Sequence, residues 1–429
     1  MIVLQSTSGV TVTNPTATLS DPLDLPCGLR LPNRITKAAM SEALAGSDNA
    51  PNEQLAHLYR RWGSGGYGLL ITGNVAVDRT QLGEPGNVVI EDDRDHDALS
   101  SWSKAAHDGG TPIFVQLNHP GRQANPLNVG HTPVAPSAVA LAMPGAATPR
   151  ELSAAEIEDI VDRFARAATV CEAASFDGVQ IHAAHGYLVT QFLSPLANLR
   201  TDAWGGDPKR RRRFLLEIVR RTREAVSPGF AVSVKLNSAD FQKGGFTEAE
   251  SRDVAAALVN EGVDLIEISG GTYESPAMSG SAAASTRARE AYFLEYAASV
   301  KDVAGDVPIA VTGGFRTHAG MDSAVRSGEC DLVGIARPAA TNPEAAADIF
   351  ADEDAELKTH EISYGLRPLL GRVADLKQLD GLLNISWNTD QLHRLSRGQE
   401  PDLERGPIKT TLTMVRRNGR VAFGKRRGL

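Results

Sequence analysis

Cysteine is scarce in this sequence, which has only Cys27, Cys171 and Cys330 among 429 residues. No two of them form a C-x-x-C pair. A disulfide framework, or a zinc or iron–sulfur site built from neighbouring cysteines, is therefore not expected. We predict reduced, mostly buried thiols and no metal, in a cytoplasmic protein.

Long apolar runs are also missing, and no stretch reaches the roughly 18 apolar residues of a membrane span. The first residues, MIVLQSTSGVTVTN, have neither the basic start nor the apolar run of a secretion signal. A formal net charge of −8 argues against non-specific binding of nucleic acid. We expect no membrane partner and no nucleic-acid partner.

Positive charge is concentrated at the end of the chain, where residues 405–429 hold eight Lys or Arg and no acid. Such a tail can contact an anionic partner. A solvated or subunit-packing tail is the simpler interpretation, and we favour it. With it we expect a homo-oligomer.

Short apolar or β-branched runs alternate with longer amphipathic segments, which is typical of a parallel sheet with crossover helices. Helix starts are marked by capping boxes at Ser153 with Glu156 and at Thr247 with Glu250. Eight candidate strands cover residues 35–40, 68–73, 112–117, 178–182, 231–236, 264–268, 308–312 and 331–336.

Eight strands with a helix after each predict an α/β fold of the (β/α)8 TIM-barrel type. A doubly wound open sheet is the alternative, but no G-x-G-x-x-G follows the first strand. We predict a barrel domain over residues 1–360, with an N-terminal lead-in, followed by a C-terminal extension over residues 361–429. Two long connections, 118–152 and 183–208, are candidate active-site loops.

The sequence G-V-Q-I-H-A-A-H-G-Y-L at the fourth strand places His182, His185 and Tyr187 where reacting groups of such barrels lie. Two imidazoles can donate to one oxygen on which negative charge develops, and a phenol can deliver a proton. A metal pair would need a third ligand, and His119 is not in a recognisable motif. We favour oxyanion binding over a metal pair or structural histidines.

A phosphate site is indicated after strands seven and eight, which end in V-T-G-G-F-R and G-I-A-R-P. Barrels often hold phosphate in these two loops. The backbone of Gly313 and Gly314 can approach an anion closely, and Arg337 can bind it through two nitrogens.

Lys235 and Gln116 end two further strands. Lys235 could form a Schiff base in an aldolase-like barrel, or it could place positive charge beside a cofactor ring. Gln116 could hydrogen-bond the same ring or be structural.

Together these residues resemble the old yellow enzyme family of NADH:flavin oxidoreductases. The resemblance covers about residues 20–345 and includes L-P-N-R-I at 31–35, H-P-G-R at 119–122, Q-F-L-S-P at 191–195 and N-L-R-T-D-A-W-G-G at 198–206. Its combination of motifs is highly specific.

The resemblance implies a tightly but non-covalently bound FMN, reduced by NAD(P)H and reoxidised by a small-molecule activated alkene. His182 and His185 would bind the carbonyl or nitro oxygen. Tyr187 would protonate one alkene carbon after flavin N5 gives hydride to the other. By position, the residues around the flavin ring would be Met40, Ser41, Gly73, Gln116 and Lys235, and those at the phosphate Gly313, Gly314, Ala336 and Arg337.

The chain departs from the family pattern at four positions. Ser41 stands where relatives have Thr or Cys, Ala43 where some have Tyr, Lys235 in place of Arg and Ala336 in place of Gly. Relatives with an iron–sulfur cluster carry cysteines after the barrel, whereas this chain has none after Cys330. The alternative to alkene reduction is an NAD(P)H oxidase or nitroreductase with a different acceptor.

Overall fold

The computed structural model describes residues 17–142, 146–270, 293–365 and 376–418. The basic residues Arg420, Lys425, Arg426 and Arg427 of the predicted tail lie outside these ranges. So do the first 16 residues of the lead-in.

Eight parallel strands pair in sequence order and close into a barrel, as the sequence predicted. The strand sequences are almost continuously apolar because each strand is buried on both faces, by helices outside the barrel and by side chains inside it. The strands are β1 (Ile35–Lys37), β2 (Leu69–Ala76), β3 (Ile113–Asn118), β4 (Gly178–Ala183), β5 (Ala231–Asn237), β6 (Leu265–Ser269), β7 (Ile309–Thr312) and β8 (Leu332–Ile335).

A helix follows each strand and packs on the outside of the barrel. Both predicted capping boxes are present: the side chains of Ser153 and Thr247 accept from the backbone of Glu156 and Glu250. The helices are α1 (Glu53–Gly63), α2 (His96–His107), α3 (Ala154–Ala173), α4 (Pro208–Ala225), α5 (Glu248–Asn260), α6 (Leu294–Ala304), α7 (His318–Arg326) and α8 (Ala345–Ala351).

The two long connections and the connection after β8 carry short elements of their own. These are the helical turns Gly121–Gln123, Pro126–Val129, Leu188–Leu193 and Arg337–Ala340, and the paired strands Val134–Ala135 and Arg150–Glu151.

The N-terminal lead-in closes the bottom of the barrel. Strands Leu23–Asp24 and Arg30–Leu31 form an antiparallel pair. Leu25 and Leu31 are buried in one cluster with apolar residues from the start of the barrel strands, among them Leu69, Phe114 and Leu332. Solvent is thus excluded from the end of the barrel opposite the site.

The C-terminal extension forms two helices, α9 (Leu376–Leu395) and α10 (Pro407–Asn418). The indole Nε1 of Trp387 donates to the carbonyl oxygen of Arg405 at 3.0 Å. The carboxylate of Asp390 pairs with Arg405 at 2.9 Å and with Arg417 at 3.0 Å. Two cations of the predicted basic tail therefore hold the extension together.

Candidate active site

A cavity opens at the carboxyl ends of the barrel strands. It brings together eleven of the twelve residues predicted for the site, namely Met40, Ser41, Gln116, His182, His185, Tyr187, Lys235, Gly313, Gly314, Ala336 and Arg337. The strand ends therefore meet at one mouth, as they must in a parallel barrel.

Gly73 is the exception, and Asn74 takes its place in the cavity wall. The pairing of β2 with β3 shifts register between Ile71 and Asn74. An extra residue in a strand reverses which side chains face inward. The N–H of Gly73 donates to the Glu42 carboxylate at 2.9 Å, and Glu42 is not among the residues that line the cavity.

The wall formed by β4 carries His182, His185 and Tyr187. The ring centroids of His182 and His185 are 5.2 Å apart, and those of His182 and Tyr187 are 4.8 Å apart. His185 has a φ of 62°, in the left-handed region, and its N–H donates to Asn237 Oδ1 at 3.2 Å. The turn after β4 thus brings the three rings onto one wall.

Hydrogen bonds orient the two imidazoles. The N–H of Ala184 donates to His182 Nδ1 at 3.3 Å, which assigns the ring proton of a neutral His182 to Nε2. His185 Nε2 lies 2.9 Å from the Ser269 hydroxyl at the end of β6.

Both imidazoles are neutral at pH 7. Burial, helped by His185 and Lys235, lowers the pKa of His182 well below its usual range. Burial and the charge of Lys235 lower the pKa of His185 to about 3. A neutral imidazole has one N–H donor, so the pair offers hydrogen bonds rather than positive charge.

Lys235 lies on β5, between β4 and β6. In the strand pairing it is level with His182 on β4 and with Glu267 on β6. Its ammonium donates to Glu267 Oε1 at 2.7 Å, and the two residues are 3% and 1% exposed. Gln180 Nε2 donates to Glu267 Oε2 at 2.8 Å, and Gln116 Nε2 donates to Gln180 Oε1 at 2.7 Å. The charge of Lys235 is therefore balanced within the barrel.

The Ser41 hydroxyl is also engaged, because it donates to Glu84 Oε1. Burial raises the pKa of the Glu84 carboxyl, and the Ser41 hydrogen bond opposes this shift. Glu84 was not anticipated from the sequence.

An anion cradle lies after β7 and β8. Gly313 and Gly314 have φ values of 139° and 92°, which L side chains rarely adopt. A Cβ at Gly334 would collide with the Thr312 hydroxyl. Thr312 lines the cavity, and its hydroxyl is buried without a hydrogen-bond partner.

The guanidinium groups of Arg316 and Arg337 line the same end, and no Asp or Glu is among the described lining residues. Among the described residues, the carboxylate that pairs with the Arg337 guanidinium is that of Glu361, and the two are 3.8 Å apart. Two arginines and glycine backbone that can approach an anion closely fit a phosphate group.

α9 was not predicted to be part of the site, but it completes the cavity wall with Gly381, Asn384, Ile385, Asn388, Thr389 and Leu392. They recur at helical spacing and include two asparagines, which is the only signal they give.

His119, the third histidine considered as a metal ligand, does not line this cavity. Its Nδ1 accepts from the N–H of Gly121 at 3.1 Å, and burial lowers its pKa to about 4. Within the described ranges, no group of three His, Cys, Asp or Glu side chains could hold a metal ion. Nor does any described helix have the length and apolarity to cross a bilayer.

The anion cradle, the neutral donors opposite it and the closed parallel barrel define a barrel enzyme that uses a phosphate-bearing cofactor. A family model described as the NADH:flavin oxidoreductase / NADH oxidase family matches residues 18–353. The chain belongs to this family, which includes the old yellow enzymes.

Two fungal relatives illustrate the likeness. The NADH-dependent flavin oxidoreductase iliE of Hypocrea jecorina (strain QM6a) is 42% identical over 371 residues, which cover 80% of this chain and 92% of the relative. The NADH-dependent flavin oxidoreductase iccE of Talaromyces variabilis is 38% identical over 350 residues, covering 76% and 84%.

Among solved structures, an old yellow enzyme homologue from Zymomonas mobilis superposes with a TM-score of 0.67 at 26% identity. The match covers 79% of this chain and 94% of that one. The protein is thus an NADH:flavin oxidoreductase that works with FMN and a nicotinamide, and the cradle after β7 and β8 fits the FMN phosphate.

Proposed function

We propose that the protein reduces the C=C bond of activated alkenes, namely α,β-unsaturated carbonyl or nitro compounds, with NADH as the electron source. The observation that carries this proposal is the wall of His182, His185 and Tyr187 in the same cavity as the anion cradle. The names of the fungal relatives support NADH as the reductant.

His182 and His185 would bind the carbonyl or nitro oxygen. His182 would donate from Nε2, and His185 from Nδ1 with its Nε2 accepting from the Ser269 hydroxyl. Two neutral donors of this kind stabilise negative charge that develops on the oxygen as the alkene is reduced. Because the rings are held by Ala184 and Ser269, they need no reorganisation when the charge appears.

Tyr187 would hold the proton that the alkene carbon receives. Its ring lies against His182, on the wall that would bind the oxygen. A phenol is a suitable donor here because it keeps its proton at pH 7 and is close to a group that anchors the substrate.

FMN supplies the hydride chemistry when it is bound. The residues that would hold it are Arg316, Arg337, Gly313 and Gly314 at its phosphate, with Met40, Ser41, Asn74, Gln116 and Lys235 around its ring. Ala336 also lines the cavity beside Arg337 and stays in the predicted phosphate set. Asn74 is added from the cavity wall, and Gly73 stays a prediction.

The proposal is tested by reducing the flavin protein with NADH under nitrogen and mixing it with cyclohex-2-enone. Reoxidation of the flavin absorbance that is much faster than with buffer alone is expected. The control is mixing with air-saturated buffer. If no activated alkene or nitroalkene accelerates reoxidation while oxygen does, alkene reduction is wrong and an NADH oxidase activity is favoured.

A further inference from the structure

One face of α9 is turned into the cavity. Gly381, Ile385, Asn388 and Leu392 follow each other at intervals of three or four residues, the spacing of one helix face, and all line the cavity. Ile385 is 43% exposed, and because it lines the cavity, part of this exposed surface faces the cavity. The extension therefore contributes to the site as well as packing beside the barrel.

α9 packs against the helical turn Arg337–Ala340 after β8, and hydrogen bonds hold it near its middle and at its C-terminal end. The Asn384 amide accepts from the N–H of Ile362 at 2.8 Å and donates to its carbonyl oxygen at 2.9 Å, in the segment that follows β8 and α8. Near the C-terminal end, His393 Nε2 lies 2.9 Å from the carbonyl oxygen of Glu42, just after β1.

This attachment decides which part of the cavity α9 covers. β8 and β1 are neighbours in the barrel, and the order of strands puts them opposite β4 and β5. The helix thus lies across the mouth from His182 and Tyr187. It stands beside the residues assigned above to the cofactor, Ser41 after β1 and Arg337 after β8.

The chemistry of this face suits a flavin. Ile385 and Leu392 offer apolar surface, Asn388 offers an amide, and no described lining residue is a carboxylate. Asn388 Nδ2 donates to the carbonyl oxygen of Asn384 at 2.8 Å, which fixes the orientation of the Asn388 amide.

We propose that α9 is part of the cofactor site, and that Ile385 and Asn388 contact bound FMN and slow its release. The inference rests on the proposed assignment of the cradle after β7 and β8, and of Ser41 after β1, to FMN. It gives the C-terminal extension a role that the barrel motifs do not supply.

The test compares two leucine-sized side chains on the same helix. Ile385 lines the cavity, whereas Leu382, 51% exposed, does not. Ile385→Ala and Leu382→Ala are prepared as full-length flavin proteins, and release of FMN is followed after dilution by the rise of flavin fluorescence. Ile385→Ala should release FMN about tenfold faster, since several apolar carbons lose their contact, and Leu382→Ala should match the wild type.

A second pair keeps the test decisive if the alanine effect is small. Ile385→Glu places a carboxylate in the cavity near an anionic ligand, and Leu382→Glu places the same charge outside it. Ile385→Glu should lose most of its FMN while both variants keep the wild-type far-ultraviolet circular dichroism.

Equal FMN release from the Ile385 and Leu382 variants would overturn the inference. So would an Ile385→Ala variant that retains FMN like the wild type and changes only the KM for the alkene. A wild-type protein that binds no FMN, or is not reoxidised by any alkene, would instead refute the proposed function, so the two failures are distinguishable.

Discussion

Replacing Lys235 by Met removes the cation that pairs directly with a carboxylate in the barrel interior. Glu267 is 1% exposed, and what remains to it is the Gln180 amide at 2.8 Å and the charge of Lys37, which does not hydrogen-bond to it. Removing one member of a buried ion pair destabilises proteins by about 3–5 kcal/mol. We therefore expect Lys235→Met to be much less stable than its small change in volume would suggest.

The magnitude also follows from protonation, which is how the stranded Glu267 can lose its charge. A Glu in water releases its proton near pH 4.3, and each pH unit corresponds to about 1.4 kcal/mol, so protonation at pH 7 costs roughly 3.7 kcal/mol. The destabilisation should fall to roughly 1.6 kcal/mol at pH 5.5 for the same reason.

Urea unfolding, followed by circular dichroism, measures this at both pH values for the wild type and for Lys235→Met. The double variant Lys235→Met with Glu267→Gln carries no stranded charge and should recover all but about 1 kcal/mol. A loss that is the same at pH 7 and pH 5.5, or a double variant as unstable as Lys235→Met, would refute the reasoning.

Three further outcomes follow from the cavity. Tyr187→Phe should leave reduction of the flavin by NADH within about twofold of the wild type and slow alkene-dependent reoxidation by about 10²-fold or more; equal slowing of both half-reactions in stopped-flow would contradict a proton-donor role. His182→Ala should weaken binding of a phenol, whose oxygen resembles the charged oxygen of the reduced substrate, by at least tenfold in a spectroscopic titration; an unchanged titration would exclude this donor. The free energy of unfolding of the wild type should decrease as the pH is lowered from 6 to 4, and His185→Gln should make this decrease smaller by about 1.4 kcal/mol per pH unit. The unfolded chain takes up a proton there, whereas the folded His185, with a pKa of about 3, does not, and an unchanged slope in urea unfolding would show that His185 is not held neutral.

The barrel could be predicted from the sequence because its strands carry their own signal. The run 231–236 is apolar except at Ser233 and Lys235, and the structure has a strand from Ala231 to Asn237. The capping boxes at Ser153 and Thr247 likewise act within four residues of chain. Local patterns of this kind need no knowledge of the tertiary fold.

Features that depend on the register between strands could not be predicted from local sequence patterns. The prediction ended β2 at Gly73, but the irregular pairing between Ile71 and Asn74 carries the strand on to Ala76 and brings Asn74 into the wall. The pairing of Lys235 with Glu267 joins residues 32 positions apart and follows only from the alignment of β5 with β6.

The cavity face of α9 gave no signal that separates it from a solvent-exposed helix face. Polar and small residues such as Asn388 and Gly381 are usual on surfaces. Tertiary contacts turn this face inward, among them the hydrogen bonds of Asn384 with Ile362 and of His393 with Glu42. The sequence predicted a barrel with an extension but not that the extension completes the site.

The reactive end of the cavity carries almost no net charge, and this bears on which alkenes it accepts. His182 and His185 are neutral, and Lys235 is balanced by Glu267, whereas the guanidiniums of Arg316 and Arg337 lie at the other end. A substrate that is uncharged until hydride arrives gains the full benefit of the two N–H donors, but a carboxylate must lose its hydration without a cation to pair with.

We therefore expect uncharged alkenes to be preferred over carboxylates of the same skeleton, as measured by comparing methyl acrylate with acrylate in reoxidation of the reduced flavin. Acrylate is also the weaker electrophile, so the decisive measurement is the change of this preference in Glu267→Gln, which leaves the Lys235 ammonium unbalanced. That variant should shift the preference toward acrylate by about tenfold, the equivalent of one modest charge interaction of ~1.4 kcal/mol. An unchanged ratio would mean that the balance between Lys235 and Glu267 is not felt by the substrate, and that the charge of the acceptor is selected elsewhere in the cavity.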